Sequence, residues 1–323
     1  MARLVFIVRW LILAALFIPA TATAAPAHLV KSLKVTVLST PLADVGFLGE
    51  WGYSALVEAD GHKFLYDTGH RPDLVLANAR ALGIDLSNVE VVILSHNHPD
   101  HTGGLLDLRR ELGSKNPLAM STAYVAAGIF EPRVTPDGKV IDRMAALRSD
   151  YEKLGGKFIV TDKPIEIAPG VWLTGPVPRI TKESKWQPGV RRQTSSGLLA
   201  DDIPEDSALV ITTAQGLVVI TGCGHAGAVN IADYASRITG ERHIDALIGG
   251  LHLDQKSDDV VRWTAAQLSR FHPKYLLLGH CTGIEATFAL RRLLGLTRRT
   301  AVVSAVGSGF DLDRGIIPGE IAA

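Results

Sequence analysis

Three imidazoles and one carboxylate stand within six consecutive positions of this chain: His96, His98, Asp100 and His101. Imidazole nitrogen and carboxylate oxygen are ligands that zinc and neighbouring divalent metals accept, and neutral histidine is the commonest metal ligand in proteins. The competing reading is a solvated loop that happens to be rich in histidine. With 11 histidines in 323 residues, chance rarely places three so close together directly after an apolar run. Pro99 predicts an irregular turn instead of an undisturbed helix, so the side chains fan out from it. Asp100 is also the candidate catalytic residue, because a carboxylate beside a metal can orient an attacking water and accept its proton.

The elements that must position these groups are short strands. Val91-Val92-Ile93-Leu94 reads as a buried strand delivering the histidine loop from its C-terminal end. Later stretches share one design of buried strand, glycine, then histidine. His225 follows Leu217-Val218-Val219-Ile220, His252 follows Ala246-Leu247-Ile248, and His280 follows Tyr275-Leu276-Leu277-Leu278. Any one of the three is unremarkable; together with the first loop they complete a set of ligands. Earlier, Leu33–Leu38 and Ser54–Ala59 alternate as strands, and Asp60-Gly61 turns the chain into Lys63–Tyr66. That strand ends at Asp67-Thr68-Gly69, where Asp67 is a turn residue or a brace for the loop. Asp73 to Leu82 has helical spacing with Gly83 as its stop, and a second helix follows Gly104.

His-X-His-X-Asp-His followed by Thr102-Gly103-Gly104 resembles the metal-binding signature of the metallo-β-lactamase-fold hydrolases. The resemblance implies an α/β fold, an αββα sandwich of two mixed β-sheets flanked by helices, with up to two metal ions at one end. Zinc is the expected ion, with manganese or iron as alternatives. It implies one site from His96, His98 and His225 and a second from Asp100, His101 and His280, with Asp67 bracing the loop through hydrogen bonds. The sequence departs from the common pattern twice: Pro176 stands where a third histidine is usual, and Cys223 where a bridging aspartate is usual. His225 then supplies the missing imidazole, Cys223 bridges the metals or lies beside them, and His252 is a peripheral ligand, a substrate contact or a structural residue. Gly222-Cys223-Gly224-His225-Ala226-Gly227, Gly249-Gly250-Leu251-His252-Leu253 and Gly279-His280-Cys281-Thr282-Gly283 resemble the branch that includes a dihydropterin-ribofuranosyl-aminobenzene-phosphate synthase. The match runs from about Val35 to Leu312 and does not specify a substrate.

Residues 1–24 read as a secretory signal peptide. Arg3 and Arg9 precede the apolar run Trp10 to Ile18, and Ala22-Thr23-Ala24 supplies a small-X-small cleavage site. That run is shorter than the ~20 apolar residues of a membrane span. The expectation is export to the periplasm without stable membrane insertion; an uncleaved anchor from Leu4 to Ile18 is the alternative. Residues 25–323 then form a single domain, with an inserted substrate or lid segment at about 113–205. Within it, Trp172 reads as core and Trp186 as a lid contact.

Lys plus Arg equal Asp plus Glu at 33 each, which gives none of the basic excess of a nucleic-acid binder. Two cysteines, Cys223 and Cys281, are too few for a disulfide scaffold. The function expected is metal-assisted hydrolysis of an ester, lactone or phosphoester-type bond in a small molecule. A bound divalent ion lowers the pKa of its water from 15.7 to ~7 and polarises the bond under attack. The alternatives are an iron-dependent oxidoreductase or dioxygenase, synthase-like chemistry, and binding without turnover; the synthase's phosphorylated cytosolic intermediates sit poorly with an export signal.

Overall fold

The computed structural model describes residues 28–183 and 189–322; the leader expected over 1–24 and the contact expected of Trp186 lie outside the described residues. Two sheets form the body. The first runs in the order Gly315–Ile317, Gly309–Asp311, Leu33–Ser39, Ser54–Ala59, His62–Tyr66, Val91–Leu94, Thr122–Ala126, Lys157–Thr161. The second runs Ile165–Ala168, Val171–Leu173, Ala208–Thr213, Gly216–Thr221, Ile244–Gly249, Tyr275–Leu278, Ala301–Val303. Each is antiparallel on one side and parallel on the other, so both are mixed as expected.

The near-continuous apolar runs of the strands follow from burial on both faces. Val35, Val37, Phe64, Tyr66 and Ile93 of the first sheet meet Leu209, Ile211, Val218, Ile220, Ile248 and Leu277 of the second in a core between the sheets. The alternate residues Leu38, Leu65, Val92 and Leu94 face outward under the helices Leu74–Ala81, Leu105–Gly113 and Arg143–Lys153. Val210, Leu217, Val219, Leu276 and Leu278 lie likewise under Ala228–Thr239, Asp258–Leu268 and Ile284–Leu293. The layers are therefore αββα. No helix of the described residues is long and apolar enough to cross a membrane.

Two sequence-based expectations are corrected. Pro99 does not leave an irregular turn; it opens a short helix, Pro99–Thr102, at the position where a helix needs no N–H. Nor is 113–205 an insertion as a whole. It supplies Thr122–Ala126 and Lys157–Thr161 to the first sheet, and Ile165–Ala168 and Val171–Leu173 to the second. What stands apart is a small sheet made from Arg133–Val134, Val140–Ile141, Arg191–Thr194 and Gly197–Ala200. Trp172 packs half-buried against the core under the second helix layer.

Candidate metal centre

The strands His62–Tyr66 and Val91–Leu94 run parallel in one sheet, and Gly216–Thr221, Ile244–Gly249 and Tyr275–Leu278 run parallel in the other. Parallel strands send their following loops to the same end, and there the histidines of the two sheets meet. The seam closes at Gly222, where a Cβ would fall 2.1 Å from Ser95 Oγ and 2.6 Å from Asp67 Oδ2. Only glycine lets the backbones come that close. Asp67, His252 and His280 hold left-handed backbone at φ 57°, 49° and 49°. Such conformations in non-glycine residues persist where surrounding structure enforces them.

Asp67 organises the first loop. Its Oδ1 accepts the Ser95 N–H at 2.7 Å and its Oδ2 accepts the Ser95 hydroxyl at 2.7 Å. The same Oδ2 lies 2.7 Å from His101 Nδ1. Ser95 Oγ, having spent its proton on Asp67, accepts from His96 Nδ1 at 2.9 Å. These partners assign both tautomers: His96 and His101 carry the proton on Nδ1 and turn an Nε2 lone pair into the centre.

The centre is a set of acceptors. Cys223 Sγ lies 3.1 Å from His101 Nε2, and His280 Nε2 lies 3.2 Å from it. Asp100 Oδ2 approaches His280 Nε2 at 3.2 Å and His101 Nε2 at 3.5 Å. The ligand atoms of Asp100, His101, Cys223 and His280 all fall within 4.8 Å of one another, as do those of His96, Cys223 and His225. Cys223 belongs to both groups, at the position where the common pattern has its bridging aspartate. His98 packs its ring 4.5 Å from that of His96 and 4.9 Å from that of His225. The His252 ring lies tilted 4.5 Å from that of His225, and His252 forms a third group with Cys223 and Cys281.

A divalent cation fits this arrangement. His96 Nε2 is buried with no hydrogen-bond partner. A buried acceptor left unpaired costs about 1–3 kcal/mol, which a cation at the lone pair offsets. Burial pushes the His96 and His225 imidazoles well below their ordinary pKa and His98 down to about 3, with His280 lowered as well. These rings are neutral at physiological pH, as metal ligation requires. His101 differs: burial opposes its charged form, yet the Asp67 carboxylate outweighs that and raises its pKa. Burial also opposes ionisation of Asp100, but the imidazoles of His280 and His101 hold its carboxyl well below the usual range. Burial and the neighbouring Cys281 hold the Cys223 thiol far above its ordinary value, and a divalent ion against the sulfur is what removes such a proton.

Several supporting residues left no clear sign in the sequence. Arg143, from the helix Arg143–Lys153, donates to Thr102 Oγ1 at 2.9 Å and to the Asn97 carbonyl, clamping the histidine loop from outside. Asp206 accepts the Ala226 N–H at 2.7 Å beside His225. Arg179 donates to the His225 carbonyl. Trp51 is 55% exposed with its ring 5.1 Å from that of His280, at the rim of a cleft of about 650 Å³. Glycines on either side of the Glu50-Trp51 pair are the one hint of that loop in the sequence.

Residues 52–177 match the Metallo-beta-lactamase superfamily. The 7,8-dihydropterin-6-methyl-4-(beta-D-ribofuranosyl)-aminobenzene-5'-phosphate synthase of Methanocaldococcus jannaschii is 29% identical over 267 residues, spanning 80% of this chain and 90% of that protein. The solved structure of Tm1679, described as a metal-dependent hydrolase of the beta-lactamase superfamily, superposes with a TM-score of 0.68 at 27% identity, covering 86% of this chain and 98% of that one. Zinc-bound PqqB from Methylobacterium extorquens shares the fold at a TM-score of 0.50 and 17% identity, over 86% of this chain and all 100% of that one.

Proposed function

We propose that this chain, which belongs to the metallo-beta-lactamase superfamily, is a metal-dependent hydrolase that cleaves an ester, lactone or phosphoester-type bond of a small substrate. The observation that carries the reading is the pair of donor groups sharing Cys223, one of them holding the orphaned His96 Nε2. His96, His98 and His225 would hold one ion and Asp100, His101 and His280 a second, with Cys223 between them. Nitrogen, oxygen and sulfur donors together suit zinc best, with manganese or iron as alternatives. Divalent ions bound here supply a water of lowered pKa and polarise the bond under attack.

The chain's own groups do the rest. Asp100, ionised and 14% exposed, would orient the attacking water by accepting a hydrogen bond from it. Asp67 holds His101 so that its proton stays on Nδ1. Trp51 lines one side of the cleft beside His280 and offers an aromatic face to a substrate there. Export of the chain by its first 24 residues and a small-molecule substrate in the periplasm belong to the same proposal.

A panel of chromogenic lactones, phosphodiesters, phosphomonoesters and thioesters, assayed with zinc and with manganese, tests the reading. Turnover of at least one class, lost on chelation and restored by metal, is the expected result. A protein that is loaded with metal and turns over none of them sinks hydrolysis, and iron in protein purified without added metal would move the reading to redox chemistry.

A further inference from the structure

Beside the cleft lies a second chamber of about 300 Å³, and the two share His225, His252 and Lys256 in their walls. The chamber is unlike the cleft in character. Buried Leu251 and Leu253, from the loop after Ile244–Gly249, form one side, and Val260 and Trp263 of the helix Asp258–Leu268 form the other. A volume near the low end of small-molecule sites and apolar walls suit a ring or a branched hydrocarbon group.

Four charged side chains edge this chamber: Lys182, Glu183, Lys256 and Asp259. The two acids are already committed. Glu183 accepts the N–H groups of Val229 and Asn230 at 3.0 and 3.1 Å, at the start of Ala228–Thr239, and the Thr181 hydroxyl at 2.8 Å. Asp259 pairs with Arg262 at 2.5 Å. Neither lysine has a carboxylate within 4.0 Å among the described residues, whereas Lys63, Lys153 and Lys274 each have one. Lys256 is half-buried, its backbone N–H is tied to the Leu253 carbonyl at 3.2 Å, and the residue lines both spaces where they meet.

We infer that the chamber is the recognition pocket of the substrate, and that the substrate is an anionic compound with an apolar ring or branched group. The apolar body lies against Trp263 and Val260, a carboxylate or phosphate meets Lys256, and the bond to be cleaved extends past His225 and His252 into the cleft. This rests on the proposed hydrolysis only for the last of those three placements. Recognition of the body and of the charge are binding events that need no turnover.

Binding of 2-naphthoate and of its neutral counterpart 2-naphthylmethanol, followed by ligand-observed NMR, tests the pocket in the metal-loaded protein and again after the metal is stripped. The expected result is that both compounds bind in both forms, naphthoate more tightly. Lys256→Met should weaken naphthoate roughly 10- to 100-fold, the loss of one contact to a charged group, and leave the alcohol unchanged. Trp263→Ala should weaken both. Naphthoate that binds only to the metal-loaded protein and is indifferent to Lys256→Met is ligating the metals, which overturns the inference. Equal loss of acid and alcohol in Lys256→Met overturns it too. Should the pocket pass while no ester of an aromatic acid is hydrolysed, hydrolysis fails and the pocket stands; should esters be hydrolysed without any effect of Lys256→Met on binding, the pocket alone fails.

Discussion

Asp67 Oδ2 and His101 Nδ1 lie 2.7 Å apart with both side chains fully buried, and the same carboxylate takes both the N–H and the hydroxyl of Ser95. One acid thus fixes the protons of two candidate ligand histidines, His101 directly and His96 through Ser95. Asp67→Asn replaces an acceptor-only group with one that must turn an NH2 toward Ser95 or His101. Metal affinity should fall about 10- to 100-fold, the usual cost of losing such a partner. A competitive chelator titration measures it, and an unchanged affinity would make Asp67 a turn residue only.

His98→Ala and His280→Ala should each abolish turnover while leaving a folded protein. Each removes one imidazole from a group of about three or four ligands, and an under-coordinated ion binds weakly and activates water poorly. The two sheets close on an apolar core of their own, which holds the fold together without a metal as small zinc modules cannot. Metal content, activity and circular dichroism together decide the matter. Near wild-type activity in either variant removes that histidine from the centre, and a failure to fold makes it structural.

For Cys223, cobalt substitution gives a direct readout. If the sulfur ligates, the cobalt form should show a thiolate-to-metal absorption band that Cys223→Ser removes, and metal occupancy should drop more than thermal stability. An ordinary buried cysteine predicts no such band and a loss of stability instead.

Burial raises the Asp206 carboxyl to about 6, against an unfolded value of about 3.9, and one of its oxygens is buried without a hydrogen-bond partner. The folded state therefore holds this proton more tightly than the unfolded state. Its contribution is fully present below the unfolded pKa and is lost as pH rises through about 6. Asp206→Asn cannot titrate. In metal-stripped protein its stability relative to wild type should rise by about 1.4 kcal/mol between about pH 5 and pH 7.5. Urea unfolding at the two pH values measures this, and a constant difference refutes it.

Mass spectrometry of the exported protein should find a chain beginning near Ala25. A retained Met1 or Trp10 would rule out cleavage there.

The first loop was legible because its four candidate ligand residues are neighbours in sequence, so no knowledge of the fold was needed to group them. His225 and His280 were legible as strand, glycine, histidine endings, since a buried parallel strand can only deliver its loop to one end. Which partner each would meet was not legible. The 3.1 Å approach of Cys223 to His101 joins positions 122 apart, and apolar periodicity shows that a strand is buried without showing against what. The middle of the chain misled for a related reason. Lys157–Thr161 has mixed burial and reads as weak, yet it completes the edge of the first sheet. Arg143 and Asp206 act through contacts that only the assembled sandwich creates.

The donors that meet at the seam come from both halves of the chain, with His101 and His280 179 positions apart. Closing a loop of that length costs entropy before any ligand bond can form, and it is the apolar packing between the sheets that meets this cost. The complete donor set therefore exists only in the assembled sandwich, although His96, His98, Asp100 and His101 are neighbours in the chain from the start. An ion held from both sheets would in turn resist opening of the seam, because it would bind the closed sandwich and not the open one.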